Sequence, residues 1–222
     1  MLTATIAVGA AALGPLYLRT AGDSVVRTTV SSAPINQQGV TLSSAPGQLV
    51  PLPDVVRAEA SVRSVGGGRY FGPALTSVSS GVGLAGPDGS PKVSALFYRT
   101  GICNQLRMVH GSCLLGRDDV LVSGRTAAQL GVTVGDALRA RVLGARQPLS
   151  LHVAGVYAVP NLTVPYWWGL GPEDFPFGVA SGPNKVPQVD PLVVSAPTAL
   201  AVPALDVPLV LGQVPLKSAS VG

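Results

Sequence analysis

Charged side chains are scarce in this sequence. They make up 12% of its 222 residues, about half the share that is usual in globular proteins, and this excludes a disordered acidic or basic tail. The 15 basic residues outnumber the 11 acidic ones, but no four basic residues cluster and no aromatic residues interleave with them. A nucleic-acid partner is therefore not predicted.

The sequence also lacks the motifs of common catalytic sites. It contains no G-x-S-x-G nucleophile elbow and no Walker A sequence. Its two histidines, His110 and His152, lie in a polar turn pattern and an alternating strand pattern, where surface or structural roles are commoner than catalytic ones. Residues 81–86 match G-x-G-x-x-G, but the Pro-Asp-Gly of residues 87–89 leaves no helix N-terminus for a pyrophosphate. We predict no catalytic residues and no cofactor. A secreted hydrolase that pairs a serine with either histidine is a competing hypothesis.

Cysteine is represented by two residues, Cys103 and Cys113, in GICNQLRMVHGSC. A disulfide closing a loop of this size contributes about 3 kcal/mol in the chain-entropy model. A metal site would need further ligands at suitable spacing, and His110 between the cysteines would supply only a third. We predict a disulfide, no metal site and an oxidising compartment.

The first 18 residues contain no charge. As a helix they would extend about 27 Å, close to the thickness of a bilayer's hydrocarbon core. A signal peptide would need a basic segment before its apolar run, and none is present. We predict the outer part of a transmembrane helix that reaches water at Arg19, with a buried helix of a soluble core as the alternative.

The rest of the chain alternates between short strand and helix patterns. Ser123 is placed to cap a helix that ends at Gly131, and residues 66–90 are small and polar with only weak alternation. The predicted strands are 39–43, 93–99, 106–109, 120–122, 137–142, 149–157, 190–195 and 207–216, and the predicted helices are 51–65, 126–130 and 196–200.

Beyond Pro160 the chain is rich in proline, glycine and aromatic residues, with Tyr166, Trp167 and Trp168 in succession. Such a loop could form a binding surface, an interfacial contact with a membrane, or a cap over the end of a sheet. These three aromatic residues are the candidates for contact with a partner or substrate.

The most specific feature is the order of motifs from residue 119 to residue 157. DVLVS at 119–123, RTAAQLG at 125–131, VGD at 134–136 and VAGVY at 153–157 resemble the extracytoplasmic domains of FtsX-like ABC transporter permeases, which are related to the periplasmic domain of MacB. Asp119 stands where the family usually has glutamate.

Other segments resemble the versions of this family found in high-GC Gram-positive bacteria. They are PLYLR at 15–19 with DSV at 23–25, the loop between Cys103 and Cys113, and PYWWG at 165–169.

The resemblance implies an α+β, two-lobed extracytoplasmic domain with mixed sheets and short helices. Residues 1–32 would end the first transmembrane helix and extend it outside the membrane. Residues 33–222 would form the domain, with a lobe containing 93–157, a Pro/aromatic loop at 158–189 and a return segment at 190–222.

The function implied by the resemblance is that of a non-catalytic part of a permease subunit in the cell membrane. A separate cytoplasmic subunit would hydrolyse ATP, and movement of the outer domain would transmit force or expel a substrate. The usual assembly is a homodimer or a permease pair. The alternative is a secreted or membrane-anchored binding module that uses the loop around Trp167 and Trp168.

Overall fold

The computed structural model describes residues 28, 39–43, 57, 60, 61, 64, 72–113, 116–142, 147–162, 164–167, 186–201 and 209–215. The predicted transmembrane helix at 1–18, the loop from 168 to 185 and most of the predicted helix at 51–65 lie outside these residues. Arg57, Ala60, Ser61 and Ser64 are helical, as predicted for that segment. Among the described residues, no helix combines the length and the apolar character needed to cross a bilayer.

Nine strands and two short α-helices build the described part of the chain. The strands are β1 (Gly39–Ser43), β2 (Leu75–Ala85), β3 (Pro91–Arg99), β4 (Arg107–Gly111), β5 (Asp119–Ser123), β6 (Ala137–Val142), β7 (Leu149–Ala158), β8 (Leu192–Val194) and β9 (Leu209–Pro215). The helices are α1 (Gly124–Leu130) and α2 (Ala196–Ala201).

Six of the strands close into a barrel-like sheet in the order β2, β3, β8, β5, β7, β6 and back to β2. The pairs β3–β8 and β5–β7 are parallel and the other four are antiparallel. Strands β2 and β7 are long enough to hold two neighbours in succession along one side. β2 therefore also pairs with β9, which pairs with β1, and β7 also pairs with β4.

The barrel interior is filled by the alternate residues of its strands. Val82, Val120, Leu138, Val153 and Leu192 are each at most 5% exposed and belong to this core, as the period-2 alternation of half-buried strands requires. A second core lies on the other face of β3, β5, β7 and β8, and its members are Phe97, Ile102, Leu106, Leu121, Tyr157, Trp167 and Val193. The wall shared by the two cores is thus apolar on both faces.

Helix α1 begins and ends as its sequence predicts. The Ser123 hydroxyl accepts a hydrogen bond from the Thr126 backbone N–H at 3.0 Å, which satisfies a donor of the first turn. Gly131 ends the helix at φ 65°, a left-handed conformation that costs glycine little. Both signals lie within the nine residues from Ser123 to Gly131, so local sequence sets the two ends of the helix.

All eight predicted strands correspond to observed strands. The predicted ranges are 39–43, 93–99, 106–109, 120–122, 137–142, 149–157, 190–195 and 207–216. Strand β2 differs, because it lies in the stretch that the sequence describes as small and weakly alternating. Its inward side chains Val78, Val82 and Leu84 are buried, while its glycines and serines weaken the pattern. The described chain is thus mostly sheet with few helices, which fits an α+β class. The division into two lobes stays a prediction.

Candidate functional site

An apolar groove opens between strand β4, helix α1 and the turn that follows α1. It has a volume of about 480 Å³. Its lining residues come from four separate segments and are Val109, His110, Gly124, Ala127, Val132, Thr133, Val134 and Val156. Val109 and Val134 are 46% and 41% exposed, although they are large aliphatic side chains. We define this set of eight residues as the β4 groove.

Strand β4 forms one wall of the groove, and a disulfide ties its two ends together. Cys103 and Cys113 are bonded to each other, with Cα atoms 5.6 Å apart, and β4 lies entirely between them. The bond therefore closes the loop that contains β4, and it confirms the predicted pairing of these cysteines.

Where β4 meets β7, the backbones of the two strands are in direct contact. A Cβ added to Gly111, whose φ is 69°, would lie 2.3 Å from the carbonyl oxygen of Ala154. A Cβ added to Gly155 would lie 2.8 Å from the carbonyl oxygen of Ser112. Distances below 3.0 Å leave no room for a side chain, so glycine is required for this approach of the two strands.

A buried polar cluster around Asp190 joins β8 to the start of α1. The Asp190 carboxylate is fully buried and accepts a hydrogen bond from the Ser123 hydroxyl at 2.5 Å and from the guanidinium of Arg125. The Asp190 backbone carbonyl accepts hydrogen bonds from the hydroxyls of Ser94 at 2.9 Å and Thr126 at 3.3 Å. A buried carboxylate is stable only when it is paired and hydrogen-bonded. This cluster therefore holds Asp190, which lies just before β8, against the start of α1.

Next to this cluster, the Tyr157 hydroxyl donates a hydrogen bond to the Pro191 carbonyl oxygen at 2.6 Å. Burial raises the pKa of Tyr157 well above its usual value of 10, so the phenol stays protonated and remains a donor.

Arg99 holds the aromatic loop against the outer face of the sheet. Its guanidinium is buried and donates hydrogen bonds to the Ser77 hydroxyl at 2.6 Å and to the Tyr166 carbonyl oxygen at 2.7 Å. The guanidinium carbon lies 5.0 Å from the centroid of the Tyr166 ring, within cation–π range. Burial lowers the pKa of Arg99 to about 10, so it is charged at neutral pH.

The three aromatic candidates for partner contact differ in position. Trp167 is 2% exposed and belongs to the second core, where it meets the Tyr166 ring edge-to-face at a centroid distance of 4.8 Å. Tyr166 is half-buried, and its hydroxyl donates to the Thr100 carbonyl oxygen at 2.9 Å. Trp168 lies outside the described residues. Of the three roles open to this loop, the described part acts as a cap on the sheet, and contact with a partner stays a prediction.

The two histidines lie on different strands. His110 is exposed on β4 and lines the groove. His152 is 58% exposed on β7, and its Nδ1 lies 3.3 Å from Oδ1 of Asp119. Among the described residues, no serine hydroxyl is hydrogen-bonded to either histidine, and no three histidine, cysteine or acidic side chains come together as metal ligands.

The groove and the two buried polar contacts were not found from the sequence. Asp190 precedes β8 and Arg99 ends β3, and each has partners more than 20 residues away. Sequence alone shows a charged residue within an apolar run at each place, which is a weak signal. The groove has no short motif because its walls are distant in the chain.

No protein-family model and no curated protein sequence matches the chain. Among the solved structures that match is the crystal structure of "a domain of a putative Permease protein from Porphyromonas gingivalis". The match has 12% sequence identity and a TM-score of 0.42, and it covers 84% of this chain and 78% of that chain. A similarity at this level assigns no family.

Proposed function

We propose that this chain is the extracytoplasmic domain of an ABC transporter permease subunit, anchored in the cell membrane. It is non-catalytic and couples ATP hydrolysis in a cytoplasmic partner to movement outside the membrane. The movement would transmit force to another protein or expel a substrate. The motif order from residue 119 to residue 157 suggests this family, and three features of the fold support the proposal.

The proposal depends most on the pairing of β1 with β9, the first and last of the described strands. β1 and β9 are antiparallel, with Gly39 opposite Pro215. The chain therefore comes into the described domain and leaves it at one place on the sheet. A domain inserted between two membrane spans needs this arrangement, because both connections must lead back to the same surface. The uncharged residues 1–18 precede β1 and suit such a span.

The connection between these two ends and the barrel is continuous hydrogen-bonded sheet. Leu211, Gly212 and Gln213 of β9 pair with β1 on one side and with β2 on the other. A displacement of either end would consequently pass into β2, the longest strand of the barrel, without crossing a flexible loop. This supports movement of the barrel as a rigid body.

The disulfide supports placement outside the cytoplasm. Cys103 and Cys113 are partly buried and bonded, and disulfides persist in oxidising compartments. The motifs of the resemblance also form one contiguous unit, β5, α1, β6 and β7, which is half of the closed barrel. The residues that suggest the family are thus part of the scaffold of the barrel.

Labelling of cysteines in intact cells tests the placement. The complete gene product would carry either Arg139→Cys, on the exposed face of β6, or Ala140→Cys, which is the next residue and faces the barrel core. The native cysteines do not react while they are bonded. A membrane-impermeant maleimide is expected to label Arg139→Cys in intact cells and to leave Ala140→Cys and the wild type unlabelled.

Labelling before and after cell lysis distinguishes an extracytoplasmic domain from a cytoplasmic one. Labelling of Arg139→Cys only after lysis would place the domain in the cytoplasm and overturn the proposal. Recovery of the labelled protein from the medium instead of the membrane would favour a secreted binding module. Co-purification of an ATP-binding subunit with the membrane-bound form, and stimulation of its ATPase activity, tests the partner.

A further inference from the structure

We propose that the β4 groove binds an extended peptide segment of a partner protein, in which apolar side chains alternate with carboxylates. The segment would lie beside β4 as an added strand and place apolar side chains in the groove. This inference rests on the geometry of the groove and stands whether or not the domain belongs to a permease.

Two exposed aliphatic side chains face one cavity. Val109 and Val134 are among the four large hydrophobic residues exposed within the described chain. They come from β4 and from the turn after α1, and Ala127 and Val156 complete the apolar lining between them. Scattered exposed valines need no explanation, but convergence on one groove is typical of a binding site.

The local backbone is arranged to produce this convergence. Neighbouring residues of a strand point to opposite faces, yet Val109 and His110 both line the groove. The pairing of β4 with β7 shifts register between Met108 and His110. The shift leaves Val109 unpaired with β7, which re-aims the side chain as a bulge does.

The size of the groove favours an extended occupant. An α-helix with its side chains is about 10–12 Å across and binds through several anchors spaced over two turns. A volume of about 480 Å³, lined by short side chains and open to solvent, suits a few side chains of a strand better.

Strand β4 offers backbone groups for such a strand. Within the described part of the chain, β4 is the last strand of the sheet and pairs only with β7. Its other edge presents N–H and C=O groups that can bind an extended peptide by β-augmentation. An acyl chain could fill the groove but would leave these groups unused.

The groove is also held rigid before anything binds. The disulfide closes the loop that contains β4 and so limits its conformations, and Gly111 and Gly155 keep β4 in backbone contact with β7. A preformed edge loses less conformational entropy on binding than a flexible segment that must first become ordered.

The polar side chains of β4 indicate which charge a bound peptide should carry. The exposed polar side chains of β4 are Arg107 and His110, and none of the eight lining residues is acidic. A peptide lying along β4 would gain from carboxylates on the side chains that point away from the groove. Basic peptides would be repelled by Arg107.

A random peptide library displayed on phage would test this on the complete gene product, purified in detergent. Selection is expected to enrich sequences with apolar residues at every second position and aspartate or glutamate between them. Val134→Asp, which puts a charge in the groove, should weaken a synthetic copy of the enriched peptide at least tenfold. Val159→Asp is the matched control, because Val159 is 46% exposed and lies outside the groove, and it should change affinity less than twofold.

A second measurement separates strand addition from simple apolar contact. N-methylation of the peptide amides that face β4 should reduce affinity at least tenfold with the side chains unchanged. Enrichment of helical spacing, enrichment of basic residues, or no enrichment at all would overturn the proposal. Equal loss with Val134→Asp and Val159→Asp would also overturn it, as would full binding by the N-methylated peptide.

Discussion

The hydroxyl of Ser123 donates a hydrogen bond to the carboxylate of Asp190 at 2.5 Å, although 67 residues separate the two in sequence. The same oxygen accepts from the Thr126 backbone N–H at 3.0 Å. Ser123 therefore begins helix α1 and at the same time binds the segment that returns from the aromatic loop to β8. The local cap and the long-range contact depend on one side chain.

Replacing Ser123 should consequently destabilise the domain more than the loss of a helix cap alone. An N-cap is worth about 0.5–2 kcal/mol, and a hydrogen bond to a charged group about 1.5–3 kcal/mol. For Ser123→Ala we expect the free energy of unfolding to fall by about 2–5 kcal/mol in urea denaturation. Ser150→Ala, at an exposed position of β7, is the control and should change it by less than about 0.5 kcal/mol. Equal effects of the two substitutions would contradict this role.

Removal of the disulfide should loosen β4 before it unfolds the barrel. For Cys103→Ser with Cys113→Ser, the chain-entropy model gives a loss of about 3 kcal/mol. Amide hydrogen exchange should speed up chiefly in 107–111, since β4 has one strand neighbour among the described residues, while β5 has two. A reducing agent should have the same effect on the wild type and none on the double variant. Uniformly faster exchange across β5 and β7 would show that the bond supports the whole barrel instead.

Features that depend on neighbouring residues can be predicted from the sequence, and features that depend on contacts between distant residues cannot. Ser123, Gly131 and the alternation of β6 and β7 can be read from neighbouring residues, and the structure confirms them. Strand β2 has Gly81 and Gly83 at outward positions, which lowers its strand propensity. Three neighbouring strands and the burial of its inward side chains override that propensity.

The site is harder to predict than the scaffold. The sequence drew attention to Trp167 because it is a large aromatic residue in a proline-rich loop, but its size also makes it suitable for the second core, where it is buried. The valines of the β4 groove resemble core residues in sequence, yet Val109 and Val134 are exposed while Val156 is buried. Which valine is buried is decided by the pairing of strands, and no local pattern contains that information.

Asp136 should lend the fold a small dependence on acid pH. The Thr133 backbone N–H and hydroxyl donate hydrogen bonds to its carboxylate at 2.7 and 3.0 Å and hold its pKa below the usual 3.8. Because the pKa is depressed in the folded state, this stabilisation is complete above pH 3.8 and is lost as the pH falls through the folded-state pKa.

Carboxyl NMR titration would measure this pKa directly. The pKa of Asp136 is expected below 3.8 in the wild type. In Thr133→Ala it should rise only part of the way, because the backbone N–H is the larger cause and is retained. A pKa at or above the usual value in the wild type would contradict the hydrogen bonds. A full return in Thr133→Ala would show that the hydroxyl dominates.

Two glycines allow the close contact between β4 and β7 to be separated from backbone conformation. Gly101 and Gly111 have nearly the same φ, 74° and 69°, so alanine suffers a similar left-handed strain of about 1–2 kcal/mol at either position. They differ in space. No atom lies within 4 Å of a Cβ on Gly101, whereas a Cβ on Gly111 would lie 2.3 Å from the Ala154 carbonyl oxygen and 2.8 Å from Gly155 Cα.

Gly101→Ala should therefore show the cost of strain alone, and Gly111→Ala should show strain together with separation of the strands. We expect Gly111→Ala to lower the free energy of unfolding by about 2–5 kcal/mol, because overpacking adds about 1–3 kcal/mol to the strain. It should also speed amide exchange in 107–111, which Gly101→Ala should leave unchanged. Since the backbone atoms of Ala154 and Gly155 belong to the barrel strand β7, the strand that gives way should be β4. Equal losses in the two variants would mean that β4 can move away at no cost and that the wall of the groove is not held by this contact.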